Sequence, residues 1–298
     1  MSRLPHPIPY QGSKRKLASL IGKYLPREID SFFEPFAGSA AMSIYAAFHK
    51  RAGSFVIADS LEPMVSLLQS IVEQPDLTAA RYRRLWDGQM EGGPGYFNEV
   101  RDRYNNGRDP IDLLYLICRC VKNAVRFNSE GRFTQSVDKR RLGMRPNKMR
   151  VAVQGVSSIL GGMVQFRVGD WRETLADAGP SDFVYMDPPY LGTSIGRDKR
   201  YHQQLMLEEL VCGLKDLRAR SVPFALSYDG MTGGREYGPP LPDELGLTRL
   251  LLHAGTSTQS TLSGRYEQTI ESLYVTPGLA EPINGIVREN GEQLRLVV

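Results

Sequence analysis

The chain has 298 residues, 37 Lys+Arg against 33 Asp+Glu for a net charge of +4, and 41% hydrophobic residues. That apolar share supports a packed core and excludes wholesale disorder, and the length suits one or two domains. Three cysteines cannot build a disulfide framework, Cys118-x-Cys120 lacks zinc-knuckle spacing, four His form no metal cluster, and no apolar run is long enough to span a bilayer. With no apolar signal core in Met1-Ser2-Arg3-Leu4-Pro5, a soluble cytoplasmic setting with neither membrane nor metal is expected.

Residues 32–36 read as a short apolar strand, followed by a turn at Gly38 and a helix carrying Met42, Ile44 and Tyr45. Residues 54–59 read as a buried strand ending in Asp59, and 62–73 as a helix with Met64, Val65, Leu67, Leu68, Ile71 and Val72 at helical spacing. Pro75 and Gly92-Gly93-Pro94-Gly95 mark loops, and the apolar pattern of residues 111–125 predicts one long helix. A half-buried strand follows at 164–168, then a buried strand at 182–187 that runs directly into Pro188-Pro189-Tyr190. Residues 207–220 form an amphipathic helix pattern, 223–228 another strand, and 247–253 with 267–275 a late antiparallel pair. Strands alternating with helices predict an α/β fold whose mostly parallel sheet is covered on both faces. The alternation lapses over residues 76–160, which read as helical and loop-like. The simplest organisation is a discontinuous sheet domain, 1–75 and 161–280, interrupted by an inserted domain, with a tail at 281–298.

The charge is unevenly spread. Residues 119–150 hold ten Lys and Arg against Glu130 and Asp138, so this segment is +8 and the remainder −4. A basic insert on a slightly acidic body suits a polyanion, because neutralised phosphates release counterions. Amides such as Asn128 and Gln135 lie among the arginines and are able to read base edges or phosphates.

Two motifs carry chemistry. Phe33-Glu34-Pro35-Phe36-Ala37-Gly38-Ser39-Ala40 places a glycine between a strand and a helix, where backbone can approach a ligand. With one glycine and no P-loop lysine, it suits a cofactor without a pyrophosphate. Asp59, 21 residues after Gly38 at a strand end, is placed to accept from ribose hydroxyls. In Asp187-Pro188-Pro189-Tyr190 two prolines remove two N–H donors. The Asp187 carboxylate and the Pro188 carbonyl then become acceptors without local competitors, suited to gripping an exocyclic NH₂, with Tyr190 as a stacking surface.

Tyr10-x-Gly12-x-Lys14, Phe36-x-Gly38, Asp59 and Asp187-Pro188-Pro189-Tyr190, in this order, resemble the Dam-type DNA adenine-N6 methyltransferases, and Thr261–266 with the strand after it resembles that family's C-terminal hairpin. Position 10 is Tyr where some members have Trp, and no second glycine follows Gly38. The resemblance covers most of residues 5–276. It implies a Rossmann-like S-adenosylmethionine-dependent methyltransferase fold with an inserted, mainly helical DNA-recognition domain. It also implies methyl transfer from S-adenosylmethionine to adenine N6 in double-stranded DNA, with base flipping, in a restriction–modification or phage setting. Tyr10, Lys14, Phe36, Gly38 and Asp59 would line the cofactor site, with Lys14 near the cofactor's carboxylate or closing the pocket. Asp170 would bind the cofactor's adenine amino group with Trp171 beside the ring. Asp187, which also borders the cofactor, and Pro188 would hold the target N6, and Tyr190 would stack on the flipped base. Arg126, Asn128, Arg132, Gln135, Lys139, Arg140 and Arg141 would contact DNA, and Arg197, Lys199 and Arg200 would sit on a loop that orders on it. The implied assembly is a monomer on DNA, with a cognate restriction endonuclease as a further partner. The same amine grip serves other planar NH₂ groups, so an RNA or protein-glutamine methyltransferase stays open, as does a nucleic-acid-binding module with a decayed site.

Overall fold

A computed structural model describes residues 4–189, 207–232, 235–256, 268–280 and 294–295. In chain order its strands are β1 Ile29–Glu34, β2 Ala52–Asp59, β3 Val164–Val168, β4 Phe183–Met186, β5 Phe224–Thr232, β6 Arg235–Tyr237, β7 Thr248–Thr256, β8 Gln268–Val275 and β9 Leu294–Arg295. The helices are α1 Ala18–Ile21, α2 Ala41–Phe48, α3 Glu62–Glu73, α4 Pro75–Glu91, α5 Tyr96–Gly107, α6 Pro110–Arg119, α7 Pro146–Leu160, α8 Trp171–Thr174 and α9 Leu207–Ala219. Among the described residues the strands form one sheet in the order β3-β2-β1-β4-β5-β8-β7-β9, with β6 paired to β5.

From β3 to β5 every pairing is parallel, and β8 then enters antiparallel between β5 and β7. This is the Rossmann-like arrangement that the sequence implies. It has a topological switch point: the chain leaves β1 toward β2 on one side and later returns as β4 on the other. Open α/β sheets bind ligands in the crevice beyond the carboxyl ends of strands at such a point. Here the loops after β1 and β4 carry the Gly38 and Asp187 motifs.

The central stretches of β1, β2 and β4 are apolar on both faces because both are covered. Phe32, Ile57, Phe183 and Tyr185 join the core under α1–α7, while their neighbours Phe33, Val56, Val184 and Met186 join a second core with α8 and α9. The strand period of two thus distributes adjacent residues between two cores. The helices at residues 76–160 share the first core through Tyr82, Tyr104 and the almost wholly buried run from Ile111 to Cys118. Helix α7 packs on α2 and α3 as well as on α4.

The helix expected over residues 111–125 ends at Arg119. Cys120 is extended (φ −77°, ψ 161°), and Lys122 and Asn123 both take left-handed backbone, with φ of 60° and 51°. An antiparallel bridge between Cys120 and Val137 draws the chain out of the helix. Tertiary pairing overrides a helical pattern that Val121 alone continued, and Val121 is itself exposed.

Candidate active site

The loop after β1 is built around Gly38. Its φ of +50° is left-handed, and a Cβ there would lie 3.2 Å from the Tyr10 ring. Both facts favour glycine. The Gly38 N–H donates to Asp59 Oδ2 at 2.8 Å, and the Leu61 N–H donates to Oδ1 at 2.9 Å. Burial raises the Asp59 pKa against the lowering effect of these backbone donors. Each oxygen keeps a lone pair, so Asp59 retains acceptor capacity toward a hydroxyl.

Glu34, at the end of β1, lies within the motif at residues 33–40, whose spacing assigns it no role. It is buried and accepts from Met42 N–H (3.3 Å), Ser43 N–H (2.8 Å) and Ser43 Oγ–H (2.5 Å). The N-cap of α2 is Ala40, whose side chain cannot cap, and Glu34 supplies the acceptor from the neighbouring strand. Desolvation nevertheless raises its pKa to about 7, and the negative charge of Asp187 adds to the rise. An acid directly after Phe32-Phe33 and before Pro35 was the available signal.

Asp187 follows β4 and is a fifth exposed, with Pro188 buried behind it. Proline chemistry removes local donors, but a distant one arrives: Lys14 Nζ donates to Asp187 Oδ1 at 2.8 Å. The Lys14 ammonium stands between Asp187 and Glu271 Oε2, which lies 3.4 Å away on β8. Lys14 is delivered by a short turn in which Gly12 has φ +89° and Ser39 Oγ donates to Ser13 Oγ at 2.9 Å. Tyr10, Lys14, Gly38, Asp59 and Asp187 therefore converge at the switch point, and Glu34 and Glu271 join them.

The loop after β3 carries Asp170 and Trp171. Asp170 caps α8 through Arg172 N–H at 2.8 Å and is paired with the Arg172 guanidinium at 3.0 Å. That side chain holds its pKa below the usual carboxylate range. Trp171 is buried, its ring 5.8 Å from Phe36 and so close to Gly213 that a Cβ there would collide with it. It serves the second core, and through Phe36 it supports the loop around Gly38. Tyr190, Arg197, Lys199, Arg200 and residues 261–266 lie outside the described residues.

The basic segment forms a hairpin-like loop rooted at the Cys120–Val137 bridge and closed by a second bridge, Phe127–Phe133. Asn128 Oδ1 accepts from Glu130 N–H (3.1 Å) and Arg132 N–H (2.8 Å), so its amide shapes the tip. Beneath, Asn105 pairs both ways with the Phe133 backbone: Phe133 N–H donates to Oδ1 at 2.7 Å, and Asn105 Nδ2 donates to Phe133 C=O at 3.2 Å. Phe133 rests edge-on against Tyr104 and Phe127. Arg101 donates to the Gln135 carbonyl at 3.3 Å. Of the predicted contacts, Arg132, Lys139 and Arg140 are exposed, while Arg126 and Gln135 are half-buried. Arg141 is pinned on buried Asp138 at 2.6 Å. The Arg140 N–H and the Arg141 side chain together hold the Asp138 pKa low. At the root, Gln11 N–H donates to Asn123 C=O at 3.1 Å, joining this loop to the segment that carries Tyr10 and Lys14.

Residues 10–232, spanning the Tyr10 motif, the basic loop and Asp187, match the family model described as D12 class N6 adenine-specific DNA methyltransferase. The chain belongs to that family. Among curated relatives, the Type II methyltransferase M.FokI of Planomicrobium okeanokoites is 26% identical over 236 residues, 76% of this chain and 36% of that protein. The Type II methyltransferase M1.LlaDCHI of Lactococcus lactis subsp. cremoris is 24% identical over 194 residues, 62% of this chain and 65% of its own length. The Retron Ec67 DNA adenine methylase of Escherichia coli is 26% identical over 215 residues, 67% of this chain and 71% of that protein. The chain thus spans less than two thirds of the first two of these relatives.

Proposed function

We propose that the protein transfers the methyl group of S-adenosylmethionine to the N6 amino group of a flipped adenine in double-stranded DNA. The observation that carries this reading is a carboxylate, Asp187, already gripping a nitrogen donor at 2.8 Å, with the left-handed Gly38 turn packed closely on the Tyr10 ring. The residues fit the cofactor: Gly38 leaves room for close approach, Asp59 keeps acceptor capacity, and the Tyr10 ring flanks the loop. When bound, S-adenosylmethionine supplies an electrophilic methyl group on a good leaving group. Asp187 and the Pro188 carbonyl would accept from the two N–H bonds of the target amine, favouring the positive charge that grows on nitrogen as it attacks. Tyr190 would stack on the base, and alignment of the two reactants would contribute much of the rate. Residues 76–160 would act as the recognition domain on a catalytic body of 1–75 and 161–280. In that domain the exposed Arg132, Lys139 and Arg140 would meet phosphates or bases. Several relatives are named modification methylases, which supports a restriction–modification role with an endonuclease partner.

The test is to express the chain in a host without adenine methylation and to map modified adenines by direct sequencing. One recurrent sequence around N6-methylated adenines is the expected result. Unmodified DNA from a soluble, cofactor-binding protein would overturn the reading.

A further inference from the structure

Glu271 Oε2 is buried and has no hydrogen-bond partner, although the Lys14 ammonium stands 3.4 Å away. A buried carboxylate oxygen left unsatisfied beside a cation calls for a physical reason. Its backbone is paired on both sides, between two register shifts of the sheet. Strand β8 is bonded to β5 on one side and β7 on the other, with Glu271 opposite Gly230 and Leu252. At Gly230 the strands are so close that a Cβ would lie 2.7 Å from the Ile270 carbonyl. The carboxylate is therefore held ready on a strand paired on both sides, while Lys14, on a flexible stem, donates to Asp187 instead.

That contact is at odds with the proposed chemistry. An ammonium 2.8 Å from Asp187 Oδ1 cancels part of the negative field that a methyl-accepting amine needs, and it is itself the kind of donor the amine would be. We propose that Lys14 is a stand-in for the target amine and that Glu271 is the positioning residue that receives it. As the adenine enters, the ammonium turns from Asp187 to Glu271, closing to the ~2.8 Å of a charge-assisted hydrogen bond. The exchange moves an ion pair and no proton. It satisfies the orphaned oxygen and restores the full charge of Asp187 only when a base is present. This inference rests on the assignment of Asp187 to the amine.

The test uses the full chain, saturating S-adenosylmethionine and a duplex carrying the mapped target sequence. Glu271→Gln should lower the single-turnover methylation rate about 10- to 100-fold. Cofactor affinity by calorimetry and the fluorescence rise of 2-aminopurine at the target position should stay unchanged. Adding Lys14→Met to Glu271→Gln should raise the rate above that of Glu271→Gln alone, since the stranded ammonium is then gone. A Glu271→Gln protein at the wild-type rate would overturn the exchange. So would a double variant no faster than the single one, which marks Glu271 as merely structural. If the wild-type protein itself fails to methylate adenine, it is the activity that has been misread.

Discussion

Glu34→Gln probes the electrostatics of the loop after β1. The glutamine keeps the shape and an acceptor for the Met42 and Ser43 donors, but it cannot ionise. In the folded protein burial lifts the Glu34 pKa to about 7 from a usual value of 4.5. A raised carboxyl pKa favours the folded state at low pH. Its contribution is fully present below the unfolded value and is lost as pH rises through the folded one. At about 1.4 kcal/mol for each tenfold change in proton affinity, the full loss is ~3 kcal/mol, of which roughly 2–3 kcal/mol falls between pH 5 and pH 8. Relative to wild type, Glu34→Gln should therefore gain stability by that amount across the interval. Urea denaturation of both proteins at the two pH values measures it, and the subtraction removes groups common to both, such as Asp59. A stability difference that is flat with pH, or that shrinks as pH rises, would refute the placement of this carboxyl in a desolvated cap.

Asp187→Ala should abolish methylation while S-adenosylmethionine binding, followed by calorimetry, persists; residual turnover would remove Asp187 from the amine site. Asn105→Ala strands the Phe133 N–H and C=O and should cost the basic loop about 2–4 kcal/mol. Hydrogen exchange should show this as lost protection at Phe133 with β1 and β4 unaffected. Arg140→Ala should weaken DNA binding across sequences and flatten the slope of log affinity against log salt by about 0.9 if it contacts one phosphate. An unchanged slope would exclude that contact.

Much of the sheet was legible because strands buried on both faces leave an unmistakable apolar run. The strand at residues 164–168 and the helix at 62–73 match their observed bounds. Other strands differ by a few residues at their ends, as at β5, where the sequence reading stopped at Tyr228 and the strand runs on to Thr232. The motifs marked Gly38, Asp59 and Asp187 through spacing and residue chemistry. What they did not reveal is the partner of each polar group. Nothing in the spacing of Asp170 says that Arg172 would occupy it, since a carboxylate two residues before an arginine becomes a cap or a ligand according to the surrounding loop. Nor does spacing foretell that Trp171 packs on Phe36 and against Gly213.

By itself, then, the sequence determined the two-sided sheet, the +8 charge of residues 119–150 and the residues able to grip an amine. These follow from local periodicity and side-chain type, which chain order preserves. Only the tertiary structure decided that Lys14 meets Asp187 across 173 residues, that Glu271 waits unsatisfied beside it, and that Glu34 caps α2. Such contacts arise where strands distant in sequence become neighbours at the switch point, and no spacing along the chain encodes them.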